Sequence, residues 1–123
     1  MALSRIVMRL ARNPDSAFAE GDDHRGYSLC APITPEGKLD EVAFAEVEAA
    51  CVVRCFAPDA DPQLGLLALR RGVWSFDYDD AADAADTMAY RLGEHRFLVG
   101  DYVSIADADG VFLTYKVTEV SPA

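Results

Sequence analysis

The sequence predicts a mainly β protein: a small closed or partly open antiparallel barrel of about seven or eight strands, with one packed α-helix at about residues 40–51. Three observations predict it. Apolar residues alternate with period two at 73–79 and 111–117, the spacing of half-buried strands. Glycine-marked turns of hairpin length, Arg71-Gly72 and Asp107-Ala108-Asp109-Gly110, separate strand-like runs. One segment, after Asp40, carries a capped stripe of helical period. Many short strands with turn signals suit a small barrel or sandwich. At 123 residues the chain makes one domain, 1–123.

Residues 1–12 fit two templates. As a helix, Arg5, Arg9 and Arg12 fall opposite Leu3, Ile6, Val7 and Leu10, like a transit peptide. As a strand, Ile6, Met8 and Leu10 share one face and Arg5, Val7 and Arg9 the other. The run has no long apolar core and no small-residue cleavage site, so a secretory signal is not expected. The strand reading is preferred. Residues 13–26 read as a long acidic loop, punctuated by Asn13-Pro14, Gly21 and Gly26. Tyr27, Leu29, Ala31 and Ile33 then alternate as a half-buried strand, stopped by Pro32, Pro35 and Gly37.

Asp40 suits a helix N-cap, because its carboxylate can accept from the unpaired amides of the first turn. Leu39 and Phe44 occupy hydrophobic-staple positions, and Glu41 suits the positive end of the helix dipole. Val42, Ala43, Val47 and Ala50 are the expected apolar stripe. Residues 52–56, 64–70, 73–79, 102–106 and 111–120 read as strands, and Met88, Tyr90 and Leu92 alternate between them. Trp74, Phe76 and Tyr78 should share one buried face, since a triplet of aromatic rings anchors a core. In the last strand, Val111, Leu113, Tyr115 and Val117 should point inward and Thr114, Lys116 and Thr118 outward.

The formal net charge is −10, which opposes binding to phosphate backbones. Nucleic acid is therefore an unfavoured partner. Binding of RNA remains an alternative that requires Arg5, Arg9 and Arg12 on one exposed basic face. No apolar run reaches 18 residues, so no membrane-spanning helix is expected, and the expected location is cytoplasmic. The three cysteines, Cys30, Cys51 and Cys55, are odd in number and suit small buried apolar residues better than a disulfide framework.

Val99-Gly100-Asp101-Tyr102-Val103-Ser104-Ile105, a turn at Gly110, and Tyr115-Lys116-Val117-Thr118-Glu119-Val120 resemble the closing hairpin of PUA/ASCH-like barrels. That resemblance implies a β-barrel, often one that binds RNA. The chain as a whole also resembles a small uncharacterised bacterial family, through Gly21-Asp22-Asp23-His24-Arg25-Gly26-Tyr27 and His95-Arg96-Phe97-Leu98-Val99-Gly100-Asp101-Tyr102-Val103-Ser104-Ile105. No activity follows from that second likeness.

No dinucleotide fingerprint, P-loop or zinc-protease motif occurs, and no cofactor is expected. Ser28 sits in Gly26-Tyr27-Ser28-Leu29-Cys30, half of a nucleophile elbow at the wrong place, the start of a strand. Asp77, Asp79, Asp80, Asp83 and Asp86 lack the glycine and terminal glutamate of a calcium loop. The two histidines are the best candidates. His24 is flanked by Asp22 and Asp23, and both histidines sit just outside strand ends, where loops carry function. The candidate ligand site is His24, His95, Asp22, Asp23 and Tyr27. His24, His95 and Asp23 are the candidate metal ligands within it. The expected function is a small acidic binding or interaction module for a small molecule or protein. The alternative is a metal-dependent or acid–base enzyme built on His24 and His95.

Overall fold

The computed structural model describes residues 3–14, 16–78, 87–88, 96–106 and 111–123. Among these residues eight strands follow in chain order: β1 (Ser4–Leu10), β2 (Asp22–Ala31), β3 (Val52–Ala57), β4 (Ala60–Arg70), β5 (Val73–Tyr78), β6 (Thr87–Met88), β7 (Tyr102–Ala106) and β8 (Phe112–Pro122). Each pairs antiparallel with the next, and β8 returns to β1, closing a barrel. The mainly β architecture with one short helix matches the sequence reading. β1 has seven registered partners in each of β2 and β8, and among the described residues β6 joins β7 through Met88 and Ala106.

Alternation places the core. Ile6, Met8 and Leu10 point inward, as the strand template requires, and meet Tyr27, Leu29, Val53, Leu67, Phe76, Val103 and Val117. Tyr27 packs against Phe76 and edge-on against Tyr115, each at 5.1 Å between ring centroids. Trp74 and Phe76 are buried, and the Tyr78 side chain lies outside the described part. The Arg71-Gly72 turn takes positive φ at both residues, the primed geometry that fits strand twist.

The helix α1 (Glu41–Val47) is capped as expected: Ala43 N donates to Asp40 Oδ1 at 3.1 Å. A 3-10 turn, Glu48–Ala50, finishes it. Leu39 and Phe44 are buried, and Phe44 meets Trp74 edge-on at 5.0 Å, which docks the helix on the barrel. The stripe is rotated from the expected one. Val42 is 82% exposed and Ala50 is exposed, while Ala43 and Phe44 are buried. A two-turn helix anchored by its staple turns the Leu39, Ala43 and Phe44 side to the core.

Three further expectations are corrected. The loop 13–26 is shorter, since β2 begins at Asp22. Ile33 lies beyond β2 and makes an isolated bridge to Leu39. Val111 is 50% exposed, because it precedes β8. Cys51 is fully buried, and Cys30 and Cys55 are half-buried. The turn at 107–110, the alternation at 90–92 and the aspartates at 79–86 lie outside the described residues.

Candidate functional site

Two irregularities in the ladders build the outer face of β8, β1, β2 and β3. In β2 the register against β1 jumps: Arg9 pairs with Gly26 and Leu10 with Asp22. Residues 23–25 therefore bulge outward. Asp22 holds this bulge, accepting a 2.9 Å hydrogen bond from His24 N at Oδ1 and facing Arg25 Nε with Oδ2 at 3.2 Å. The Arg25 Nε–Asp22 contact is an ion pair without hydrogen-bond alignment. Arg25 also reaches Asp59 at 3.1 Å and lies over the Phe18 ring at 4.9 Å. The second irregularity is in β8, where Val7 pairs with Glu119 but Met8 pairs with Val117. Thr118 is the extra residue. Its hydroxyl donates to Val7 O at 3.3 Å and accepts from Arg9 Nη1 at 2.7 Å.

Between these bulges the registered row Glu119–Val7–Ser28–Arg54 runs across four strands. Val7 and Ser28 are short, and the long side chains around them leave an open hollow of about 280 Å³. Arg5 and Arg9 stand two residues either side of Val7 on the same face, and Arg54 closes the far end. His24 and Asp23 reach the hollow from the bulge, with Glu119 and Phe56 on its rim. Among the described residues, none of Arg5, Arg9 and Arg54 has an ion-pair partner, whereas Arg12 and Arg25 do.

The sequence-predicted candidates divide. His24 and Asp23 line the hollow. Asp22 does not, because its carboxylate is engaged in shaping the bulge. Tyr27 is 5% exposed and packs in the barrel core, so it cannot touch a ligand on this outer face. His95 lies outside the described residues, and so does any meeting of the two histidines. Among the described residues no group of three or more His, Cys, Asp or Glu side chains gathers as a metal site. No helix of the described residues is long and apolar enough to cross a membrane.

Sequence reasoning paired Arg5 with Arg9 on one strand face but missed Arg54 and the floor at Ser28. The Arg5/Val7/Arg9 alternation was the available signal. Arg54 joins them only through the β2–β3 register, which no local pattern carries. Guanidinium groups are planar forks of donors suited to carboxylate and phosphate oxygens. Three of them around a hydroxyl-floored hollow can seat an anion of phosphate size. No family model, curated protein or solved structure matches this chain.

Proposed function

We propose that this protein is a small binding module whose ligand is anionic and whose site is the outer hollow over Val7 and Ser28. One observation carries the reading. Three arginines line one hollow, none with an ion-pair partner among the described residues, in a chain whose charge is −10. Carboxylates are abundant, so unpaired arginines held together are not a shortage of counter-charge. An anion seated there would gain charge-assisted hydrogen bonds from guanidinium groups that line the same hollow. Ser28 adds a hydroxyl donor to the same space, and His24 an imidazole. Glu119 and Asp23 limit the net charge of the hollow and so favour a compact anion over a bulk polyelectrolyte.

The test is an amide-resolved NMR titration of the full chain with inorganic phosphate. The expected result is saturable shifts centred on Arg9, Ser28 and Arg54, weakened at least about tenfold by Arg5→Gln combined with Arg54→Gln, on the scale of one to two charged hydrogen bonds. Shifts spread evenly over all basic residues, or unchanged by the double substitution, would overturn the reading.

A further inference from the structure

We infer that the natural ligand is an elongate bis-anion: two anionic groups separated by roughly 10–13 Å, the length of three to four strand residues, on a spacer without continuous negative charge. The inference rests on the anion-binding reading above and extends it along β1.

A second hollow, of about 390 Å³, adjoins the first and shares two of its residues, Arg9 and Asp23. The first is floored by Val7, and the second lies over Leu10 and Ala11, further along the same chain segment. Lys116 and Arg12 are its cations. Lys116 sits directly across the ladder from Arg9. Like charges facing each other across strands destabilise a sheet. Lys116 has no ion-pair partner among the described residues, and the Arg12–Glu20 pair is a 4.0 Å contact between side chains that are 79% and 88% exposed. Exposed pairs of that kind contribute little, so Arg12 is free to turn to a ligand. Each hollow is lined by one more cation than carboxylate, with Arg5, Arg9 and Arg54 against Asp23 and Glu119 in the first and Arg9, Arg12 and Lys116 against Glu20 and Asp23 in the second, and Arg9 is the wall between them. Its guanidinium is held there by Thr118, the residue that the β8 bulge inserts.

Asp23 decides what joins the two anionic groups. It lines both hollows, at their junction. A chain of closely spaced phosphates laid along the groove would pass its carboxylate and be repelled. A neutral or aliphatic spacer would not. The geometry thus separates a small bis-anion from a single-stranded nucleic acid, although both present phosphates.

The experiment titrates the full chain with inorganic phosphate, with alkane bisphosphonates of short, intermediate and long methylene chains, and with a thymidine oligonucleotide, reading the amides of Ser28 and Thr114. The intermediate bisphosphonate should shift both amides together and bind at least about tenfold tighter than phosphate, because the second group binds at high effective concentration. The short and long chains should lose that gain. Lys116→Gln should abolish the gain and leave phosphate binding at Ser28 unchanged; Arg12→Gln, beyond the end of β1, provides the same comparison should the first variant not fold. Asp23→Asn should strengthen oligonucleotide binding. Equal affinity for phosphate and every bisphosphonate, with Ser28 responding, would overturn the two-anion ligand while leaving the single anion site intact. An oligonucleotide that outbinds the intermediate bisphosphonate would overturn the uncharged spacer. Silence at Ser28 with every probe would overturn the anion-binding reading itself.

Discussion

Replacing Gly26 by alanine tests the geometry that brings β1 and β2 together beside the bulge. A Cβ built on Gly26 would lie 1.9 Å from Met8 O, 2.9 Å from Met8 C and 3.0 Å from Arg9 Cα. All three are backbone atoms, so no side-chain rotation can relieve the clash. Ordinary contact requires the strands to part by at least about 1 Å, since non-bonded heavy atoms rest some 3.5 Å apart. Stretching a strand pair by that much takes its N–H···O bonds out of range. Losing two or three ladder bonds at about 1 kcal/mol each, with about 1–3 kcal/mol of overpacking, gives about 3–6 kcal/mol. That is a large part of a stability expected to be 5–15 kcal/mol, an order-of-magnitude range. Urea denaturation followed by Trp74 fluorescence measures it. Gly72→Ala is the comparison: nothing lies within 4 Å of its Cβ, and its φ of +78° is the sole source of strain, worth about 1 kcal/mol. A loss below about 1 kcal/mol for Gly26→Ala, with an unchanged denaturant slope, would refute the close approach.

Two further outcomes follow from burial. Burial, with smaller contributions from Cys30 and Glu48, pushes the Cys51 thiol up to about 11. The unfolded thiol ionises first, so stability should fall as pH rises from about 9 to 11, by roughly 2–3 kcal/mol at 1.36 kcal/mol per unit; comparing urea midpoints of the native chain and Cys51→Ala at pH 8 and 10.5 isolates that slope. Phe76→Ala should cost about 3–5 kcal/mol by emptying the barrel centre, whereas Val42→Ser, at a position 82% exposed, should stay within about 0.5 kcal/mol; the first urea midpoint checks the barrel core and the second the seating of the helix.

The barrel was legible because its strands obey period two over long runs. Trp74/Phe76 needed no tertiary knowledge, whereas the Ile6/Met8/Leu10 run also fits a helix and is fixed as a strand by its pairing with β2 and β8. The cap at Asp40 and the staple of Leu39 with Phe44 were local too. What failed was any feature depending on a neighbour. Val42 was placed in the stripe by periodicity, yet a two-turn helix is oriented by its docking on Trp74. The β8 alternation slips at Thr118, turning Glu119 outward beside Arg5 and Arg9, and a bulge leaves no mark in a polar Lys-Val-Thr-Glu run. Tyr27 beside the acidic segment suggested a ligand contact; strand alternation sends its ring to the core. Half of the candidate site, Asp23 and His24, was visible as an acidic histidine cluster. The other half, Arg54 and Ser28, exists only once β3 is laid against β2.

The pairing of β1 with β8 also has a consequence in time. Ser4 lies against Pro122 and Leu10 against Tyr115, so the first strand finds its second partner only after more than a hundred further residues have been made. Until then the growing sheet presents β1 as a bare edge, with main-chain donors and acceptors open to any other strand. Contacts so distant in sequence close slowly, on the millisecond-to-second scale of β folds. Newly made chains therefore pass through a period of exposure in which edge-to-edge aggregation competes with folding. Arg5 and Arg9 stand along that edge. Charged side chains blunt such edges, so the two arginines of the proposed anion site would also guard the nascent sheet before β8 arrives.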